Sequence, residues 1–285
     1  MSLTSLALYD KTTLEMSRLL TQKYSTSFSL GIKMIHPSCR WAVYAIYGLV
    51  RVADEIVDTF HEQNQRKLLA SFKKETYESI ENGLSTNPIL HSFQKAARHY
   101  KIDKTLIDPF FESMEMDLET NNHSEKSYGD YIFGSAEVVG LMCLKVFCEG
   151  NEEDYQILIN PAKSLGAAFQ KVNFLRDIKS DFAERGRTYF PEISFHQFTE
   201  IEKELIIEDI KKDFNDAYKG IVRLPICCKF GVYTAYKYYL RLLYKIEQES
   251  VETIKQSRIR VPDSEKVGLL LKSYLRYKTG AIKHV

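Results

Sequence analysis

Pairs of aspartates four residues apart occur three times in the chain: Asp54/Asp58, Asp177/Asp181 and Asp209/Asp213. On a helix such pairs stand one above the other on a single face. Two like charges there repel at a cost of about 0.2–0.5 kcal/mol in water, and more when water is removed. In "NFLRDIKSDF" the stripe is longer, because Asn173 precedes Asp177 and Asp181 at the same interval. With 14 Asp in 285 residues, chance alone gives about 0.7 such pairs. Spacing therefore marks candidates, and the surrounding residues must separate them.

The first pair lies in "CRWAVYAIYGLVRVADEIVDTF", just after Pro37, a residue suited to a helix's first turn. Val43, Ala45, Ile46, Leu49, Val50, Val52, Ala53, Ile56 and Val57 surround nearly the whole wheel, so this helix is expected to be buried. One narrow stripe interrupts it: Tyr44, Tyr47, Arg51, Asp54 and Asp58. Buried charges must be paired or bound to a cation, and Arg51 alone leaves one carboxylate over. Around the second pair, Leu175, Ile178 and Phe182 lie opposite the Asp stripe, which equally describes an amphipathic surface helix. The third pair lies in "TEIEKELIIEDIKKDFNDAYKG", where interspersed Lys and Glu read as a solvated face with local charge compensation.

Carboxylates without His or Cys suit a hard cation, and Mg²⁺ typically takes one or two carboxylates together with substrate phosphates. Arg51 and Arg176 beside the pairs suit phosphate oxygens directly. A di-iron bundle would need Glu-x-x-His, which the chain lacks. The residues thus point to divalent cations that carry a phosphorylated ligand between two helices.

Those helices need a scaffold. Apolar residues recur at helical spacing almost throughout, with no run of strict alternation. Turn signals divide the chain at "HPS" (36–38), "NGLSTNP" (82–88), "TNNHSEKS" (120–127), "CEGNEED" (148–154), "ERGRTYFP" (184–191) and "RIRVPDS" (258–264). The segments between them are long enough for helices, and no repeat or linker appears, so residues 1–285 read as one all-α domain. Most of the 18 Tyr and 16 Phe are expected in its core. A net charge of +1 and the lack of a basic arm argue against nucleic acid as a partner. Five cysteines without Cys-x-x-Cys spacing read as reduced thiols in the cytoplasm. "MSLTSLALYDKTT" does not read as a secretory signal. The ten-residue run "WAVYAIYGLV" is half a membrane span, so the protein is expected to be soluble or peripheral.

Read together, "TSFSLGIKMI", "YAIYGLVRVADEIVD", "YIFGSAEVVG" and above all "GAAFQKVNFLRDIKSDFAERGRTYFP" resemble the squalene/phytoene synthases, head-to-head prenyl transferases. The likeness runs on more weakly through "YYLRLL" and "RIRVP". It implies a helical bundle of the isoprenoid-synthase type around a central cavity. It assigns Asp54, Asp58, Asn173, Asp177 and Asp181 to Mg²⁺ or Mn²⁺, with Gln170 on the same stripe. Arg51, Arg176, Arg258 and Lys266 would hold diphosphate. Phe28, Tyr47, Tyr131 and Tyr239 would line the prenyl channel, with Tyr131 close to the reacting centre. One departure stands out: the family often has Ala-Gly before Val-Gly, where this chain has "SAEVVG" with Glu137.

The resemblance leads to phytoene synthase: two geranylgeranyl diphosphates condense through prephytoene diphosphate to phytoene, releasing two diphosphates, with no NADPH expected. Squalene or dehydrosqualene synthesis from two farnesyl diphosphates is the nearest alternative. The sequence closes on "SYLRYKTGAIKHV" with no C-terminal anchor in view, which weighs against the eukaryotic squalene branch. A non-catalytic scaffold of the same fold is a third reading, disfavoured because both Asp pairs are intact. An apolar product makes peripheral membrane contact an expectation. Ile32 and Met34 are candidates for bounding the prenyl tail. Oligomeric state is not read from the sequence.

Overall fold

The computed structural model describes residues 5–119, 124–185, 187, 189–191 and 198–282, and among them there is no strand. Its helices are α1 (Ser5–Tyr24), α2 (Thr26–Lys33), α3 (Pro37–Asp58), α4 (Gln65–Asn82), α5 (Pro88–Tyr100), α6 (Lys104–Glu119), α7 (Glu125–Ile132), α8 (Val138–Cys148), α9 (Glu152–Arg185), α10 (Glu200–Ile221), α11 (Ile226–Gln248), α12 (Val251–Gln256) and α13 (Asp263–Lys278). A π-turn, Phe133–Glu137, joins α7 to α8. The described chain is thus all-α, as expected.

Most punctuation follows the expected residues. Pro37 starts α3 behind a His36 cap, Gly83 ends α4 at φ 68°, and Asn87 caps α5 through Ile89 N at 3.1 Å. Other breaks lack Gly or Pro. Ser25 separates α1 from α2 by accepting from Phe28 N at 3.2 Å, and Lys101 ends α5 in the left-handed region at φ 54°.

Helix α3 is buried as its composition requires, with Ala42, Ala45, Leu49 and Ala53 at 0% exposure. Helix α9, 34 residues and about 51 Å long, carries Pro161 in its interior and packs on α8, α10, α11 and the π-turn. Large aromatics fill the core, among them Phe93, Phe110, Phe111, Phe214 and Tyr233. Two glycines permit close approach to a neighbouring segment's backbone. A Cβ on Gly166 of α9 would lie 2.6 Å from the Ala136 carbonyl, and one on Gly134 would lie 2.3 Å from that of Pro109 on α6.

One helical run, Glu125–Cys148, has the length and composition of a membrane span, although no ten-residue apolar stretch marks it. Of its most apolar 18-residue window, 61% is buried inside the protein, as in a core helix. The five cysteines are free thiols, as expected.

Candidate active site

A cavity of about 220 Å³ lies between α2, α3, the π-turn, α8, α9, α10 and α11. Its wall on α9 is Leu158, Pro161, Ala162, Leu165, Gly166, Phe169, Gln170 and Asn173, the three- and four-residue spacing of one helical face. The same face continues past Asn173 into Asp177 and Asp181. Oil and charge therefore share one helix: an apolar wall over four turns, then carboxylates. Opposite stand Phe28, Ile32 and Ile35 of the α2 corner and Val232, Ala235 and Tyr239 of α11.

At the junction of the two regions, the Tyr239 hydroxyl donates to Asn173 Oδ1 at 3.4 Å, and its ring stacks on Phe169 at 3.9 Å. Gln170 Nε2 donates to Ser135 Oγ of the π-turn at 3.3 Å. Phe28 packs against Phe169 and Tyr47, each at 6.1 Å between centroids. Burial, with the Asp54 charge adding to it, pushes the Tyr47 phenol up to about 12, so it stays protonated.

The carboxylates are held by arginines. Arg176 grips Asp177 with two hydrogen bonds, Nε to Oδ1 at 2.9 Å and Nη2 to Oδ2 at 2.5 Å. Arg258 adds Nε to Oδ1 at 2.8 Å, tying the segment after α12 to α9. Burial opposes the charge on Arg176 and Asp177 outweighs it, so its pKa rises, while burial and the neighbouring Arg176 lower that of Arg258. On α3, Arg51 pairs with Glu55, lies 3.7 Å from Asp54 and covers the Tyr24 ring at 4.2 Å. Its Nε is buried with no hydrogen-bond partner among the described residues. Asp181 is only 7% exposed and Leu175 on the opposite face 0%, so the second motif is no surface helix.

A second layer was not anticipated. Asp58 accepts from Arg187 Nη1 at 2.8 Å, and Arg187 Nη2 donates to the Asp117 carbonyl at 2.9 Å. The buried Asp117 carboxylate accepts from Tyr131 at 2.9 Å and Tyr189 at 3.4 Å. Burial holds its carboxyl up to about 7 against the pull of Arg187. The sequence carried a signal for it: Asp117 falls on the buried stripe of Phe110, Ser113 and Met114. Arg187 and Tyr189 lay unassigned in the "RGRTYFP" stretch.

Four of the expected channel and polar-rim residues, Phe28, Gln170, Asn173 and Tyr239, line the cavity. Tyr47 reaches it through Phe28, and Tyr131 does not line it. The Tyr131 ring is buried, stacks on Tyr189 at 5.2 Å and serves the Asp117 network. Lys266 Nζ reaches Thr26 Oγ1 at 3.0 Å and Asp263 Oδ1 at 2.9 Å. Glu137 points to Lys163 of α9 at 3.2 Å, which neutralises the departure noted above. Ile32 lines the cavity and Met34, the α2 C-cap, does not.

Asp209 is exposed as expected and Asp213 half-buried, but the charge that compensates the pair comes from another helix. Both clasp Lys171, at 2.5 and 2.7 Å. Lys171 lies about 160° around α9 from Asn173, at 100° per residue, so this pair serves the α9–α10 contact behind the cavity.

Among the described residues, no three His, Cys, Asp or Glu side chains gather into a ready metal cage. The donor set consists of two carboxylate pairs and one amide oxygen, oxygen ligands suited to a hard cation that keeps water and substrate ligands.

The family model for squalene/phytoene synthase matches residues 21–265. The chain belongs to the squalene/phytoene synthase family. It is thereby a prenyltransferase. The phytoene synthase of Arthrospira platensis is 28% identical over 288 residues, covering 92% of each chain. Phytoene synthase 1 of Solanum lycopersicum is 25% identical over 89% of this chain and 66% of its own length. The 4,4'-diapophytoene synthase of Staphylococcus haemolyticus is 25% identical, covering 68% and 69%. A crystal structure of a dehydrosqualene synthase superposes with a TM-score of 0.79 at 20% identity, over 95% of this chain and 99% of that one. The likeness thus covers most of the chain.

Proposed function

We propose that the protein is a phytoene synthase, joining two geranylgeranyl diphosphates head to head into a forty-carbon hydrocarbon with release of two diphosphates and two protons. The observation that carries this reading is the single face of α9, on which an apolar wall of about four turns leads directly into Asn173, Asp177 and Asp181. Full-length similarity to a cyanobacterial phytoene synthase supports the twenty-carbon substrate.

Asp54, Asp58, Asn173, Asp177 and Asp181 would hold Mg²⁺, which when bound supplies positive charge to the departing diphosphate. Arg51, Arg176 and Arg258 offer guanidinium forks to phosphate oxygens, and the unpartnered Nε of Arg51 is a donor ready for one. Arg187 fixes Asp58 from behind. The apolar lining excludes water, which would otherwise trap the allylic cation as an alcohol. Phe28, Phe169 and Tyr239 line the cavity, where an aromatic face turned to that cation would contribute about 0.5–2 kcal/mol.

Incubating the purified protein with Mg²⁺ and geranylgeranyl or farnesyl diphosphate, each with and without NADPH, tests the proposal. The expected result is a forty-carbon hydrocarbon with a central double bond from geranylgeranyl diphosphate, unchanged by NADPH, and no turnover in EDTA. Exclusive consumption of farnesyl diphosphate would move the protein to the thirty-carbon branch, to which the diapophytoene synthase relative belongs.

A further inference from the structure

Helix α13 covers the protein with one of its faces and leaves the rest in water: of its sixteen residues only Ser273 is buried. Val267, Leu271, Tyr274 and Leu275 are 56%, 59%, 44% and 62% exposed. Their spacing places all four within about 100° of the helix wheel. Beside this stripe stand exposed Lys272 and Arg276, and exposed Lys278 closes its C-terminal end, 5.7 Å from the Tyr274 ring centroid; from Lys266 to Lys278 the chain has no carboxylate. The helix's two acids, Asp263 and Glu265, sit at the other end and are paired, with Lys266 and with Arg241 and Lys245.

The neighbouring end of α11 extends both features. Phe230 packs against Tyr274 and Tyr277 at 5.8 and 5.3 Å, and one turn before it Ile226 is 78% exposed. Half-buried Lys237 faces Arg276, and burial and that guanidinium together push its ammonium below the ordinary lysine value. Cations held side by side call for an anionic partner. A second copy of this chain meeting the same face about a twofold axis would set basic cluster against basic cluster.

We infer that the exposed face of α13, with Ile226 of α11, docks the protein in the plane of a bilayer that carries anionic lipids. The apolar stripe enters the acyl boundary while Lys272, Arg276 and Lys278 meet headgroup phosphates, the arrangement of an interfacial amphipathic helix. The inference does not depend on which prenyl chain the cavity takes.

Co-sedimentation with sucrose-loaded vesicles tests it, comparing phosphatidylcholine mixed with phosphatidylglycerol against phosphatidylcholine alone. The protein should pellet with the anionic vesicles and much less with neutral ones. Leu271→Glu with Leu275→Glu should weaken binding at least about tenfold, since two buried leucines become two charges. Lys272→Gln and Arg276→Gln should each cost about fivefold, and more at low salt. Ile201→Glu with Leu205→Glu, equally exposed on α10, should bind like the parent. All these sites are exposed, and unchanged melting curves confirm that the fold persists. Equal binding by the α13 variant, or equal binding to both vesicle types, overturns the inference. Conversion of a vesicle-free dimer to a monomer by Leu271→Glu with Leu275→Glu also overturns it, assigning the face to a second copy.

Discussion

Asp117 lies on the apolar stripe of α6 between a guanidinium and two phenols, and burial holds its carboxyl up to about 7. In the unfolded chain it returns to 3.8. The folded protein therefore binds the extra proton in that window, and the contribution to stability is fully present below 3.8 and lost as pH rises through about 7. Urea unfolding in chelator should show the parent losing stability from pH 4 to 7 relative to Asp117→Asn; parallel curves would contradict the burial account. The three Asp pairs separate by a different readout. Asp→Asn at Asp54, Asp58, Asp177 or Asp181 should cut turnover by at least about 100-fold. Asp213→Asn should keep turnover and lose about 1–3 kcal/mol of stability by weakening the hold on Lys171. A stability loss without an activity loss at Asp177 would refute the assignment. The paired-Asp stripes were legible because charge on an apolar helix is conspicuous. Lys171 was not, because its partners lie 38 and 42 residues away and no local pattern joins them.

At the scale of elements, all six expected turns fall at helix boundaries, while the breaks between α3 and α4, α10 and α11, and α11 and α12 were not expected. The breaks at Ser25 and Lys101 escaped because a side-chain cap and a left-handed non-glycine leave a weak trace in sequence. The π-turn escaped for another reason: the carbonyl of Pro109 crowds Gly134, and that contact is tertiary. Glycines on these helices divide accordingly. Gly166→Ala would press a Cβ against the Ala136 carbonyl and should cost about 1–3 kcal/mol. Gly129→Ala and Gly268→Ala, with nothing within 4 Å, should each stabilise by about 0.4–1 kcal/mol. Chemical denaturation of the three variants decides, and equal effects would mean that the close approach is not rigid.

For the whole molecule, helical periodicity and turn spacing were enough to read one all-α domain, and the long run of motif residues was enough to read the family. The cavity's walls come from seven separate segments, so their convergence lies beyond any local pattern, and the length of the prenyl chain with it. Helix α9 supplies the missing measure. A helical turn rises about 5.4 Å. An isoprene unit contributes four bonds to an extended chain, about 4.7 Å at the reach per bond of a polypeptide. Turns and isoprenes thus keep nearly equal step, and α9 is a graduated scale with its zero at Asn173. Leu158 stands about 22 Å down that scale, room for four units, and Ala162 stands about three turns down. Filling the third graduation with Ala162→Phe should shut out the fourth isoprene, shifting the ratio of kcat/KM for geranylgeranyl over farnesyl diphosphate by at least about tenfold toward farnesyl, with thirty-carbon products on chromatography. Should the ratio hold, the scale is read along another wall. Should it shift, a one-turn move of a bulky side chain becomes a change of five carbons per substrate and ten per product.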